Sequence, residues 1–521
     1  MRRDAAAAAL FVVLAIAMTW PLVRNIDRAV AYPGDPFINI WILDWDWWAT
    51  LHAPLSLFHA NAFFPARYAL AFSENLYGIA LLLMPLRALG VGPITAHNVA
   101  VLAGFAFSGF AAYLLAMRLT GSFAGALAAG IFHAFVPFRF SHLTHLQHIW
   151  AGWLPMLLLA LLWYVARPSW RSAGVFGLVF LMNGLTNIHW LLFGTLAAGA
   201  TALLCVRRWR ELIVATAGAV VLLAPFLYPY AAAARLYGMT RPRMETLHYS
   251  AHVSDWLVAS VSNHLYASLR DVSVDPERWL FPGALAIAFA LISLLAIRRH
   301  LHAVVIGLIW VAIGFAGSLG LRWWFHSFLY DAVPGFQAVR APARWAEIAY
   351  IGLAILIAAA IALLERRVQW AVYVFPLLFL FELRAAPIRW HIAIPEPPEV
   401  YRWLAEQKVQ GGVLELPMDA VGSYLYLLRA TAHHKKIVNG ISGFVPPVTE
   451  RIAGLAGEDP LRDELVDELK RIGVHFVVIH ADARNNVDIA NWLRRELGRG
   501  RLRFVRRFDG GVSGDWVFSL R

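Results

Sequence analysis

Long apolar runs separated by short polar breaks fill most of this chain, and their lengths predict membrane-crossing helices. The first covers residues ~5–22. The next predicted spans lie at ~94–117, ~122–138 and ~149–166, followed by a short pair at ~172–186 and ~188–206 that hinges on Asn187. Further runs at ~212–230, ~280–297, ~303–320, ~343–364 and ~369–384 bring the expected bundle to about eleven helices. The run 75–90 is apolar but short and broken by Pro85, so it reads as an interfacial or re-entrant helix. A β-barrel is excluded, because the runs are about twice as long as barrel strands and do not alternate.

Arginine orients the runs. Arg118, RPSWR, RRWRE, RRH and ERR punctuate alternate breaks, and the positive-inside bias places them in the cytoplasm. The N-terminus is then cytoplasmic. Segments 23–93, 231–279 and 321–342 are outer loops of a transmembrane domain, 1–387. The first run reads as an uncleaved anchor in preference to a signal peptide. After ~388 the pattern changes: PEPPEVYRWLAEQ predicts a proline-led helix, GGVLELPM and VHFVVIHAD short buried strands, and RLRFVRRF with SGDWVFSLR closing strands. Residues 388–521 are therefore expected to form a small extracytoplasmic α/β domain.

Composition agrees with this reading. The 521 residues are 60% hydrophobic and only 15% charged, against roughly a quarter charged in soluble domains. The net charge of +12 sits in the inter-span arginine clusters, and no nucleic-acid-binding motif accompanies it. A single cysteine, Cys205, excludes an intramolecular disulfide and a Cys-based metal site. No Walker motif, dinucleotide-binding glycine fingerprint or HExxH is present.

Ionisable residues gather in the predicted outer loops. In YPGDPFINIWILDWDWWAT, Asp35 lies between Gly34 and Pro36, which restricts its backbone and suits a general base; the competing role is a helix cap. Asp44 and Asp46 are two apart, so on a helix they diverge, and Glu74 is a further acid. In RFSHLTHLQH, His142, His145 and His148 recur every three residues and would form one helical stripe for a metal, for phosphate, or for interfacial packing. Arg139 offers a phosphate-matching fork, and Gln147 and His189 are polar neighbours at the outer rim. The loop 241–266, including His252, mixes hydrogen-bonding side chains with aromatics, as a carbohydrate groove needs. Arg340 and Arg344 are four apart; they would point together at an anionic lipid head, or merely snorkel.

The segments NAFFPARYALAFSENLYG, FRFSHLTHLQH, ERWLFPG, RAPARWAEI, VYRWLAEQ, VLELPM, VNGISGF and RIGVHFVVIH, in this order of parts, resemble the GT-C superfamily of integral membrane glycosyltransferases. The resemblance implies a GT-C-like bundle, a polyprenyl-phosphate-linked sugar donor within the membrane lipids, and a cell-envelope glycan, lipid or protein as acceptor. It implies that Asp35 acts as base or helps hold a metal, with Asp44, Asp46 or Glu74 as a second acid. No cofactor is certain, and a divalent metal, Mg or Mn, stays open. Two other readings are a transporter or flippase for lipid-linked sugars and a non-catalytic envelope assembly factor. The first expects internal repeats, which are not seen, and the second leaves the Asp35 loop unexplained.

Overall fold

The computed structural model describes residues 2–393, 396–457, 461–480, 486–509 and 514–520. The protein is mostly helical, and seven of its helices are long and apolar enough to cross a membrane: Pro93–Thr120, Phe123–Ser141, Leu146–Ala166, Ile188–Cys205, Arg210–Tyr237, Leu301–Ser318 and Pro342–Val368. It is a multi-pass membrane protein. The other expected spans are helices of lesser length, Arg2–Met18, Trp170–Thr186, Ala284–Ala296 and Val374–Glu382. Pro85 lies inside the helix Tyr77–Ala88, in the segment expected to be interfacial.

The chain divides into two compact units. The first comprises Met1–Ile26, Asn98–Pro225 and Thr240–Trp390. Its core contains Trp190, Phe193, Trp310, Trp345, Ile348, Ile351 and Ile355, all fully or nearly fully buried. Helix starts follow the local chemistry. Ser122 Oγ accepts the Gly125 N–H at 3.0 Å, and Asn187 Oδ1 accepts those of His189 and Trp190 at 2.7 and 3.2 Å. Asn187 is extended, so the short pair breaks where the sequence suggested. Gly307 and Gly314 face Gly352 and Ala349 so closely that a side chain at the glycines would meet backbone, the small-residue contact expected between membrane helices.

The second unit comprises Asp27–His97, Phe226–Met239 and His391–Arg521. β1 (Ala29–Val30) pairs antiparallel with β2 (His391–Ile392), Ala29 opposite Ile392 and Val30 opposite His391. A four-stranded sheet follows, from β3 (Gly412–Leu416), β4 (Val474–His480), β5 (Leu502–Phe508) and β6 (Asp515–Leu520). Its order is β3-β4-β6-β5, with β3 and β4 parallel and the other pairs antiparallel. Leu414, Leu416, Val477, Leu465, Leu469 and Trp492 form its core. Every strand expected from the apolar runs of the C-terminal region is present.

Candidate functional site

In the first unit, the ionisable groups meet around Glu277. Asp275 caps the short turn Pro276–Arg278 by accepting the Glu277 N–H at 2.9 Å, which fixes the glutamate's backbone. Arg344 grips its carboxylate with both edges of the fork, Nε to Oε2 at 3.0 Å and Nη2 to Oε1 at 2.5 Å. His142 Nε2 is 3.0 Å from Oε2, and its Nδ1 is 2.9 Å from the Phe138 carbonyl. Both ring nitrogens thus have an oxygen partner. Burial alone would raise the Glu277 pKa, but Arg344 and His142 hold it well below the usual carboxylate range.

The histidines do not lie on one continuous helix. Pro137–Ser141 ends at His142, and a new turn, Leu146–Ile149, starts after His145. The rings still cluster: His142 lies 5.5 Å from His145 and 4.7 Å from His148 by ring centres. His145 is half-buried and 3.3 Å from the Thr144 hydroxyl. His148 is fully buried, edge-on to Trp190 at 5.0 Å. One nitrogen each of His142 and His145 and an oxygen of Glu277 lie within 4.8 Å of one another, a set able to hold a metal.

Arg139 sits behind this group. It is fully buried, donates to Glu347 at 2.8 Å and to the His148 and Ile149 carbonyls at 2.8 and 3.3 Å, and so pins the histidine turn. Gln147 is buried, and its backbone carbonyl accepts from the Trp190 indole N–H at 3.2 Å. His189 is the second residue of the helix Ile188–Cys205, its ring 5.9 Å from Phe193. His252 is exposed, with its backbone N–H held by Asp255. Arg340 does not share a helix face with Arg344, because a new turn starts at Pro342. It lies over the Tyr249 ring at 4.8 Å and 3.8 Å from Glu245.

In the second unit, Asp35 is the first residue of the helix Asp35–His52, with Gly34 at the cap position. It is half-buried, and the Tyr424 hydroxyl donates to it at 3.1 Å. Burial and this carboxylate push the Tyr424 phenol up to about 12. Asp44 is buried and accepts from both Arg87 and His434, the latter at 2.8 Å. Asp46, on the same helix, is fully buried, and burial holds its carboxyl well above the usual range. Glu74 is half-buried, just past the short turn Ala69–Phe72.

Glu277, Arg87 and His434 were not among the expected site residues. An acid after Asp-Pro in an aromatic loop was the available signal for Glu277. Another unforeseen cluster lies in the sheet: His480 at the end of β4 bonds Glu415 of β3 through Nε2 and Asp515 of β6 through Nδ1, each at 2.9 Å. Tyr401 also donates to Glu415, at 2.7 Å. Burial would lower the His480 pKa, but the bonds to Asp515 and Glu415 push it up to about 9. An unfolded histidine titrates near 6.5. The stabilisation is therefore complete below about pH 6.5 and is lost as pH rises through about 9, a change of roughly 3 kcal/mol. The protection factors of the β4 amides, which correct for base-catalysed exchange, should fall over that window and stay constant over it in His480→Gln.

No protein-family model matches the chain, and no curated protein matches its sequence. Among solved structures, its backbone is similar to the Archaeoglobus fulgidus oligosaccharyltransferase in complex with Zn and sulfate, at 12% identity and a TM-score of 0.48 over 92% of this chain and 67% of that one. It is also similar to ArnT from Cupriavidus metallidurans in the apo state, at 12% identity and a TM-score of 0.39 over 98% of this chain and 97% of that one.

Proposed function

We propose that this protein is a glycosyltransferase of the bacterial inner membrane, moving a sugar from a polyprenyl-phosphate-linked donor to an acceptor hydroxyl on the extracytoplasmic face. The observation that carries the reading is the Glu277–Arg344–His142 cluster. His142 follows the apolar helix Phe123–Ser141, Leu146–Ala166 begins just beyond it, and Arg344 lies at the start of Pro342–Val368. Buried charges are costly at the ends of apolar helices without a task, and this rim is where a lipid carrier presents its phosphate.

In this reading Arg344 neutralises the phosphate as the bond from its oxygen to the anomeric carbon breaks and the electron pair stays on the phosphate. His142, His145 and Glu277 would hold a divalent metal, which when bound supplies further charge for the leaving group. Two imidazoles and one carboxylate suit Zn or Mn better than Mg, which prefers oxygen ligands. The Phe138 carbonyl on His142 Nδ1 is the outer partner that a ligating histidine normally has. Asp35, whose role comes from the GT-C resemblance, is the proposed base for the attacking hydroxyl, and a single displacement would invert the anomeric centre. The acceptor is a cell-envelope glycan, lipid or protein.

Asp35→Asn in purified enzyme should slow transfer from a polyprenyl-phosphate sugar by about a hundredfold or more, with melting unchanged. Wild-type turnover would remove Asp35 from the base role.

A further inference from the structure

A second basic site lies in the unit that carries Asp35. A cavity of about 310 Å³ is lined by His59, Ala60, Phe64, Pro65, Arg67 and Lys436, among others. Its walls come from segments more than 300 residues apart, stitched by backbone hydrogen bonds: Ile437 N–H to Asn61 at 2.7 Å, Phe64 N–H to Ile437 at 2.9 Å and Phe63 N–H to Asn439 at 3.1 Å. The cavity is thus built into the fold and is not a gap between loose loops.

Its chemistry has one sign. Arg67 lies over the Tyr68 ring at 5.5 Å and Lys436 over Phe64 at 5.6 Å, and among the described residues neither forms an ion pair. Among the described residues no carboxylate lines the cavity. His59 Nδ1 accepts the Tyr68 N–H at 3.1 Å, so the neutral ring carries its proton on Nε2 and keeps a donor there. Burial, Arg67 and Lys436 all lower the His59 pKa. A guanidinium fork, an ammonium and an imidazole N–H beside a phenyl face match a phosphate ester. The volume is at the low end for small-molecule sites and suits a single sugar-sized body.

We propose that the His59–Arg67–Lys436 cavity binds a phosphate-bearing ligand of about monosaccharide size, separately from the Glu277 cluster. This does not rest on the transferase reading. Titrating the full-length protein in nanodiscs with inorganic phosphate by calorimetry tests it. Arg67→Gln/Lys436→Gln should lose about tenfold or more in affinity, while Arg344→Gln keeps this phosphate-binding event. Lys436→Glu, a single change at an exposed position, should weaken it at least as much. Displacement of phosphate by farnesyl phosphate in the bilayer would identify a lipid head group as the source, and displacement by glucose 6-phosphate alone a soluble ligand. No phosphate binding in the wild type, or equal affinity in the double variant, would overturn the proposal.

Discussion

Glu347→Ala should destabilise the protein by about 3–5 kcal/mol, seen as a marked drop in melting temperature in detergent. Arg139 and Glu347 are both completely buried, 2.8 Å apart. A guanidinium cannot shed its proton to escape this environment. Removing the carboxylate therefore leaves a whole charge with only the His148 and Ile149 carbonyls and a marginal Ser108 contact for company. Arg139→Met/Glu347→Leu should recover most of the loss, because a matched apolar pair carries no charge to desolvate. A double variant as unstable as the sum of its parts would mean that the pair is not coupled. The histidine turn hangs from Arg139, so transfer should fall in Glu347→Ala and partly return in Glu347→Gln, which keeps an acceptor.

The second large effect is expected at Glu277. Glu277→Gln preserves shape but removes the charge that Arg344 and His142 share. Transfer should fall by about 10²–10³, as when one preorganised electrostatic group is deleted from an active site. The readouts separate its roles: Zn or Mn affinity reports the ligand role, turnover the electrostatic one, and melting the loss of Arg344's partner. Turnover within a few-fold of wild type would place the chemistry elsewhere.

The sequence made the spans and strands legible because burial leaves a local trace. An apolar run of bilayer length, or a short one between polar turns, can be read without knowing its neighbours. Pairings leave no such trace. Glu277 meets His142 across 135 positions and Arg344 across 67, and Asp44 meets His434 across 390. Arg139 looked like a phosphate fork because its partner, Glu347, is 208 positions away. The histidine stripe had the right spacing, yet the chain turns between His142 and His145, and the rings converge by folding back instead of by helical repeat. Arg340 and Arg344 had helical spacing too, but the turn that starts at Pro342 sends them to different partners.

The small β1–β2 ladder has a consequence for the whole chain. Hydrogen-bonded strands lie on one side of a bilayer, so the chain crosses an even number of times between Val30 and His391. All seven long apolar helices fall inside that interval, and seven is odd. If all seven cross, an odd number of the shorter helices must cross with them, and Trp170–Thr186, Ala284–Ala296 and Val374–Glu382 would bring the total to ten. Deleting any single crossing would deliver His391 to the wrong compartment and leave Ala29 and Val30 without their partner strand.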